Sequence, residues 1–267
     1  SEMCIRDSIK VAEALGKLWE TPVVPVNHME GHIFSVLLSQ TKNVKFKTVH
    51  YPLMSLLISG GHTELVYSKT ILSYKTLGQT RDDALGEAYD KVARMMGLSY
   101  PGGPQIALMA EAKRKAKYTK DIWKLPRPMI HSKDLDFSFS GLKTAVLYAI
   151  KDKMLSDEQR SEIAKEFEDA VTEVLVVKTR KALTQFPTKS LIVAGGVSSN
   201  THIKKELKKL TKEFPNLTIH TPLLNVSTDN SIMIGIAGYG RIKKFPKLLV
   251  PPAAPAAPAE PIVMTIF

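Results

Sequence analysis

The sequence predicts an α/β fold, and three observations support this class. Residues 190–194 (Ser-Leu-Ile-Val-Ala) form a continuous apolar run typical of a buried parallel strand, and a lysine-rich helical segment follows at 201–214. The apolar runs 51–59 and 64–67 flank a pair of glycines, a pattern that favours a β-hairpin. Segments with helical apolar spacing, of which 156–183 is the longest, alternate with these strands.

Composition limits the class of protein. A chain of 267 residues with 44% hydrophobic content can bury the core of one large or two modest domains. No apolar run reaches the ~20 residues of a membrane helix, and the first residues lack a secretory pattern. Cys4 is the only cysteine, which excludes an internal disulfide and fits a cytoplasmic location. The net charge of +11 is equally compatible with a polyanionic partner and with an ordinary basic surface.

The chain begins with residues 1–8, which show no clear amphipathic period and which we expect to be a non-native leader. A helix at 9–20 and a short strand at 21–26 are predicted next. In the following segment, Asn-His-Met-Glu-Gly-His at 27–32, a helix would place His28 and His32 on one face. Two imidazoles at this spacing can share one divalent metal ion; one capping and one solvated histidine is the alternative.

The hairpin glycines, Gly60 and Gly61, allow backbone N–H groups to approach a phosphate closely. A turn that simply requires positive φ is an equally good interpretation. Residues 190–194 likewise end in two glycines before a helix, the α/β arrangement that admits a nucleotide at the carboxyl end of a strand. The spacing is neither that of the dinucleotide-binding glycine motif nor that of a Walker loop.

A helix that closes at Gly97 is predicted to be capped by Thr80 or Asp82. The next acidic residues lie on one face at i, i+4 and i+7, where they would repel one another: Asp83, Glu87 and Asp90. A ligand hydroxyl or amine would explain their proximity, whereas the helix dipole is the alternative explanation.

The segment 113–133 carries eight basic residues, one acidic residue, Tyr118 and Trp123. Cations interleaved with aromatic side chains suit a nucleic-acid backbone and unpaired bases, and a solvated loop is equally compatible with them. Further along, Ser156-Asp157-Glu158-Gln159 predicts a capping box at the start of the long helix. Residues 251–261 contain five prolines among alanines, so we expect the tail, 248–267, to be disordered.

Six segments together resemble the TsaD family, the catalytic subunit of tRNA N6-adenosine threonylcarbamoyltransferase, once labelled a glycoprotease. They are NHMEGH at 27–32, LLISGGHTEL at 56–65, TRDDALGEAYDKVARMMGLSYPGG at 80–103, DFSFSGLKT at 136–144, LIVAGGVSSN at 191–200 and STDN at 227–230. The resemblance implies the two-lobed actin/hexokinase-like (ASKHA) fold. It also implies transfer of threonylcarbamoyl from threonylcarbamoyl-AMP to N6 of the adenosine beside the anticodon, in tRNAs reading codons that begin with A.

The resemblance further implies the functional residues. His28, His32 and Asp229 match the family's ligands of one metal ion, iron or zinc, and are the expected catalytic residues. The positions that match the family's substrate contacts are Leu57, Ile58, Ser59, Gly60, Gly61, Asp90, Gly103 and Asn200. Two histidines and one carboxylate leave coordination positions open, as a catalytic site requires.

The family begins with an acidic, Ser/Thr-rich phosphate motif and a glycine-rich segment, which this sequence lacks, so the resemblance implies an N-terminally truncated member with an incomplete first lobe. We therefore expect residues 9–68 to form the remainder of the N-terminal lobe and 69–247 to form the C-terminal lobe and the lobe interface. The implied partners are tRNA, a TsaB-like paralogue and a TsaE-like ATPase. Two alternatives are a zinc metallopeptidase, which has Glu directly after the first histidine where Met29 stands here, and a non-catalytic scaffold of the modification complex.

Overall fold

The structure is a computed structural model that describes residues 2–38, 48–116, 123–244 and 262–266. Its internal contacts divide the chain into two compact units. The first combines residues 1–47 with 222–267, and the second is residues 48–221.

In its described residues, the first unit contains three α-helices and a two-stranded parallel sheet. Its elements are α1 (Glu2–Leu18), β1 (Val23–Asn27), α2 (His28–Ser35), α8 (Ser231–Lys244) and β7 (Ile262–Ile266). Strand β1 pairs with β7 in parallel register, from Val23 opposite Ile262 to Asn27 opposite Ile266. Helix α2 packs closely on α8 at Gly31, which has no side chain. A Cβ at this position would lie 2.8 Å from the Cδ1 atom of Ile234.

The second unit is a five-stranded mixed sheet with helices. Its elements are β2 (Leu53–Ile58), β3 (Thr63–Ser68), β4 (Lys75–Gln79), α3 (Leu85–Met95), α4 (Gly102–Lys115), α5 (Ser140–Ile150), α6 (Asp157–Gln185), β5 (Ser190–Ala194), α7 (Thr201–Lys208) and β6 (Thr218–His220). The strand order is β4-β3-β2-β5-β6. Strands β2, β3 and β4 are antiparallel neighbours, whereas β2, β5 and β6 run parallel.

The core of the second unit explains why its sequence forms these elements. All six residues of β2 and all five of β5 are buried, as expected for central strands. Aromatic side chains also join helices within this core: Tyr89 of α3 meets Phe167 of α6 edge to face, with 5.0 Å between ring centroids. The predicted capping box is confirmed, since Ser156 and Gln159 exchange side-chain and backbone hydrogen bonds at the start of α6.

Helix α1 begins at Glu2, within the predicted leader 1–8, and the non-native origin of that segment stays a prediction. Two other features of the chain differ from the expectations. The hairpin β2–β3 was expected in the first lobe with residues 9–68, but β2 pairs with β5, which places it in the unit 48–221. In the predicted tail, 262–266 form strand β7, because Ile-Val-Met-Thr-Ile is a β-branched run that can pair with β1. The rest of that tail lies outside the described residues.

Candidate functional site

The start of helix α2 fixes the two histidines. The side chain of Asn27 caps the helix, its Oδ1 atom accepting from the backbone N–H groups of Met29 at 2.9 Å and Glu30 at 3.2 Å. His28 is therefore the first helical residue, and His32 follows one turn later on the same face. The two imidazole rings stand edge to face with their centroids 4.8 Å apart.

Asp229 reaches both histidines from the segment that precedes α8. Its Oδ1 atom lies 3.2 Å from the Nε2 atoms of His28 and of His32. The neighbouring side chain of Asn230 holds this segment: it accepts from the backbone N–H of Met233 at 3.0 Å and donates to the carbonyl of Thr228 at 2.8 Å. Asn27, directly before His28, and Asn230, directly after Asp229, thus each cap a helix next to a candidate ligand.

The cluster of His28, His32 and Asp229 could hold a metal ion. One ligand atom from each residue lies within 4.8 Å of the others. Donor atoms on a tetrahedral ion at ~2.05 Å are roughly 3.3 Å apart, and the separations of Asp229 from each histidine, 3.2 Å, are compatible with such an ion. His32 is 1% exposed and Asp229 is 67% exposed, so one side of the cluster opens to solvent. Two imidazoles and one carboxylate would leave that side for further ligands.

Glu30 lies between the two histidines in sequence, but its carboxylate is engaged by Arg241 and is not available as a general base at the metal-ligand cluster. Its carboxylate is 1% exposed and accepts from Nε of Arg241, on α8, at 2.6 Å. A zinc metallopeptidase requires a carboxylate free to act on metal-bound water. The buried ion pair therefore argues against that class.

The glycine turn between β2 and β3 is held by Ser59. Its N–H donates to the carbonyl of His62 at 2.9 Å, and its hydroxyl accepts from the N–H of His62 at 3.1 Å. Neither Gly60 nor Gly61 adopts a positive φ, so the interpretation as a turn that requires positive φ is wrong. A Cβ at either glycine would meet no atom within 4 Å, which leaves the backbone of the turn open to a ligand.

Leu57 and Ile58, two of the predicted substrate-contacting residues, have fully buried side chains. Any ligand contact there would come from their backbone. Gly195, at the end of β5, has φ +92°, and a Cβ on it would overlap the carbonyl oxygen of Ile58. Gly86 of α3 approaches from another side, its N–H donating to the carbonyl of Ser59 at 3.1 Å. These two glycines allow the chain to pack closely against the turn, because neither carries a Cβ. Glycine at positions 86 and 195 is the sequence signal that would have identified them.

Asp90 and Asn200 both hold the start of a helix. The Oδ1 atom of Asp90 accepts from the N–H of Gly102 at 2.8 Å, at the start of α4, where Gly103 is the second residue. The Oδ1 atom of Asn200 caps α7 by accepting from the N–H of Ile203 at 3.0 Å, while its Nδ2 donates to Glu168 at 2.5 Å. The hydrogen bonds thereby fix the orientation of the Asp90 and Asn200 side chains. Glu168, which is 1% exposed, was not identified from the sequence.

Two of the three acidic residues predicted on one face, Asp83 and Glu87, are paired with lysines within the chain, so their closeness to each other is explained without a ligand. Nζ of Lys91 lies 2.7 Å from Asp83 and 2.7 Å from Glu87, and Lys143 also contacts Asp83. The predicted cap of this helix is wrong as well. The N-cap residue is Ala84 without a side-chain bond, and the hydroxyl of Thr63 accepts from the N–H of Leu85 at 2.9 Å.

Asp82 caps a different helix, α5. Its carboxylate accepts from the hydroxyls of Ser138 and Ser140 and from the N–H of Phe139 at 2.8 Å. Burial raises the pKa of Asp82, but these hydrogen bonds outweigh that effect and hold the pKa below its ordinary value. The motif at 136–144 thus joins the segment before α3 to the start of α5.

Residues 1–236 of the chain match the model of the TsaD family, described as tRNA N6-adenosine threonylcarbamoyltransferase. The chain belongs to the TsaD family. Proteins with that name are 42% identical over 239 residues in Paraburkholderia xenovorans (strain LB400) and 44% identical over 238 residues in Staphylococcus carnosus (strain TM300). These alignments cover 88% and 86% of this chain. The chain spans 66% and 64% of those two TsaD proteins' own lengths, just under two thirds.

Two solved structures share the fold at low sequence identity. HypF of T. kodakarensis has a TM-score of 0.63 at 15% identity, covering 92% of this chain and 40% of HypF. A full-length HypF in a phosphate- and nucleotide-bound form has a TM-score of 0.55 at 11% identity, covering 81% of this chain and 42% of HypF. The predicted fold class, α/β of the actin/hexokinase-like kind, is confirmed.

The basic segment 113–133 was one candidate nucleic-acid surface. Its cations at positions 113, 114 and 127 face acidic residues of α6. Nζ of Lys113 lies 3.0 Å from Glu162, and the other pairs are Arg114 with Glu168 and Asp169, and Arg127 with Glu166 and Glu173. These three cations are neutralised within the chain, which disfavours the nucleic-acid interpretation for them, and residues 117–122 lie outside the described part. No helix among the described residues is long and apolar enough to cross a membrane.

Proposed function

We propose that this chain transfers the threonylcarbamoyl group from threonylcarbamoyl-AMP to N6 of the adenosine beside the anticodon, in tRNAs that read codons beginning with A. The observation that carries the proposal is the cluster of His28, His32 and Asp229 in a chain of the TsaD family. Its donor set is that of a catalytic rather than a structural metal site, because one side remains open to solvent.

The transfer replaces one bond to the carbamoyl carbon with another. The N6 atom of adenosine bonds to that carbon, the bond from the carbon to the phosphate oxygen breaks, and AMP leaves with the electron pair. One proton passes from N6 to water or to a carboxylate. Since an exocyclic amine is a weak nucleophile, positioning and charge stabilisation must supply most of the rate enhancement. An iron or zinc ion held by the cluster would act as a Lewis acid toward the carbonyl and neutralise the leaving phosphate.

The residues of the second unit have the chemistry to hold the donor. The backbone of Gly60 and Gly61 is open for a phosphate, because a Cβ at either glycine would meet no atom within 4 Å, and Ser59 holds the turn in place through His62. The carboxylate of Asp90 and the amide of Asn200, both fixed by helix starts, suit the hydroxyls of the ligand or its threonyl part. We further propose that the chain works with a TsaB-like paralogue and a TsaE-like ATPase, as family members commonly do.

An assay of transfer tests this proposal. The purified chain is incubated with zinc or iron(II), threonylcarbamoyl-AMP and unmodified tRNA, with and without the two partners, and modified nucleoside is measured by mass spectrometry. We expect product from the unaltered chain and from a His131→Ala control, whose histidine is exposed, but none from His28→Ala. Product from His28→Ala would overturn the role of the cluster. No product from any variant, beside an active full-length relative, would favour the scaffold alternative.

A further inference from the structure

Helix α7 and the turn after it carry an excess of positive charge that the fold does not neutralise. Residues 201–213 contain five lysines and two glutamates. Both glutamates are already engaged: Glu206 binds Lys209 at 2.6 Å, and Glu213 binds Arg180 at 2.7 Å. Within the described chain, no ion pair involves the remaining four lysines, which we call the α7 lysine face: Lys204, Lys205, Lys208 and Lys212.

The spacing of the α7 lysine face opposes helix stability. Lys204 and Lys208 are four residues apart within α7, where like charges at this spacing repel one another, and Lys212 follows at the end of a 3₁₀ turn, Lys209–Lys212. The opposite side of the same segment is apolar and buried, through Ile203, Leu207 and Leu210. Burial of that side fixes which way the helix faces, so the lysines lie on its solvent side, and an anion bound along them would reduce the repulsion.

Lys204 adds an independent observation. It is only partly exposed, and burial lowers the pKa of its ammonium group below the ordinary value. No carboxylate offsets this cost within the part of the chain that the structure describes. A phosphate nearby would stabilise the charged form.

The α7 lysine face also begins at the candidate site. Helix α7 starts directly after its cap, Asn200, which is one of the proposed substrate-binding residues. At about 1.5 Å per residue, Lys208 lies roughly 12 Å along the helix axis from Asn200. The basic segment around Arg114 and Arg127, by contrast, is occupied by the acids of α6. The α7 lysine face thus offers cations beside the site that are available to a partner.

We propose that the α7 lysine face binds the phosphate backbone of the RNA substrate next to the nucleotide that enters the site. The inference rests on the proposed function, because it takes RNA as the substrate. Phosphate contacts of this kind position a nucleic acid without reading its sequence, and they make its affinity depend on salt.

The test compares two triple variants of equal net charge. One removes three charges of the α7 lysine face (Lys205→Gln, Lys208→Gln, Lys212→Gln), and the control removes three other exposed lysines (Lys17→Gln, Lys69→Gln, Lys151→Gln). All six side chains are exposed, so both variants are expected to fold, which circular dichroism checks. The affinity for unmodified tRNA is measured by fluorescence anisotropy between 50 and 200 mM salt, without the acyl donor.

We expect the α7 variant to lose at least tenfold in affinity at the lowest salt. Its slope of log K against log[salt] should be shallower by about 2 to 3, since each phosphate contact contributes about 0.7 to 0.9. The control should stay within about threefold of the unaltered chain. Equal affinity and slope for the two variants would overturn the proposal. An acidic protein would then be the alternative occupant of the α7 lysine face. If tRNA binding depends on these lysines but the chain makes no modified nucleoside, the result would support the α7 lysine face as an RNA-binding surface and refute the proposed transferase activity.

Discussion

Glu30 and Arg241 form a buried ion pair between the two helices that present the candidate metal ligands. The Nε atom of Arg241 donates to the Glu30 carboxylate at 2.6 Å, and Glu30 is 1% exposed. Glu30 lies between His28 and His32 on α2, whereas Arg241 belongs to α8, the helix that follows Asp229. The pair therefore fixes the spacing of the helices and, with it, the separation of the ligand atoms.

Glu30→Gln is expected to weaken both folding and metal binding. The variant loses a charge-assisted hydrogen bond, which should lower the free energy of unfolding of the metal-free chain by about 2 kcal/mol. Because residues behind the ligands typically change metal affinity by 10- to 100-fold, zinc affinity should fall within that range. Urea unfolding and competition with a chromophoric chelator measure the two effects. Lys115→Gln, which removes an exposed pair with Glu111, is the control and should change neither. Unchanged zinc affinity in Glu30→Gln would contradict the positioning role.

Gly195→Ala is expected to displace the end of β2. The residue has φ +92°, and the added Cβ would overlap the carbonyl of Ile58, so the backbone of the proposed phosphate turn must move. We expect a loss of about 2 kcal/mol in the free energy of unfolding and weaker binding of AMP by calorimetry. Gly141→Ala is the matched control, because its Cβ would meet only Pro128, at an ordinary 3.6 Å. Equal AMP affinity in both variants would refute the role of Gly195.

Asp169→Asn should destabilise the chain in a pH-dependent manner. Burial raises the pKa of Asp169, but hydrogen bonds from His202, Arg114 and Lys165 outweigh it and hold the pKa well below its usual range. A carboxylate with a lowered folded-state pKa stabilises the fold above its unfolded-state pKa of about 3.9, and this contribution is lost as the pH falls toward the folded-state pKa.

The difference in unfolding free energy between the unaltered chain and Asp169→Asn is thus expected to be about 2 kcal/mol above pH ~5, and to shrink as the pH is lowered below ~4. Urea titrations at a series of pH values measure it. Glu111→Gln, at an exposed pair, should leave the stability unchanged at every pH. A difference for Asp169→Asn that is equally large at pH 3 and pH 7 would rule out the charge as its origin.

Local sequence patterns predicted the elements that depend on local physics. The capping box at Ser156, the strand 190–194 and the common helical face of His28 and His32 are all confirmed. Strand β4 was missed because Lys-Thr-Leu-Gly-Gln at 75–79 has no apolar run and relies on pairing with β3. The reason for the acidic face of α3 was available in the sequence, since Lys91 lies four residues after Glu87.

Long-range pairings were beyond the reach of local patterns. Asp229 is far from His28 in sequence, so only the family resemblance pointed to it, and the structure brings the two within 3.2 Å. The basic segment 113–133 read as a candidate nucleic-acid surface because its partners on α6 are tens of residues away. The charge of a segment indicates a binding surface only when the fold leaves that charge unpaired.

The metal stoichiometry of the purified chain tests the proposed centre most directly. Equilibrium dialysis against zinc, followed by elemental analysis, should give one ion per chain for the unaltered protein and for His131→Ala. We expect none for His28→Ala or His32→Ala and weaker binding for Asp229→Asn, because the cluster would lose a donor in each case. One ion per chain retained in both histidine variants would contradict the proposed centre.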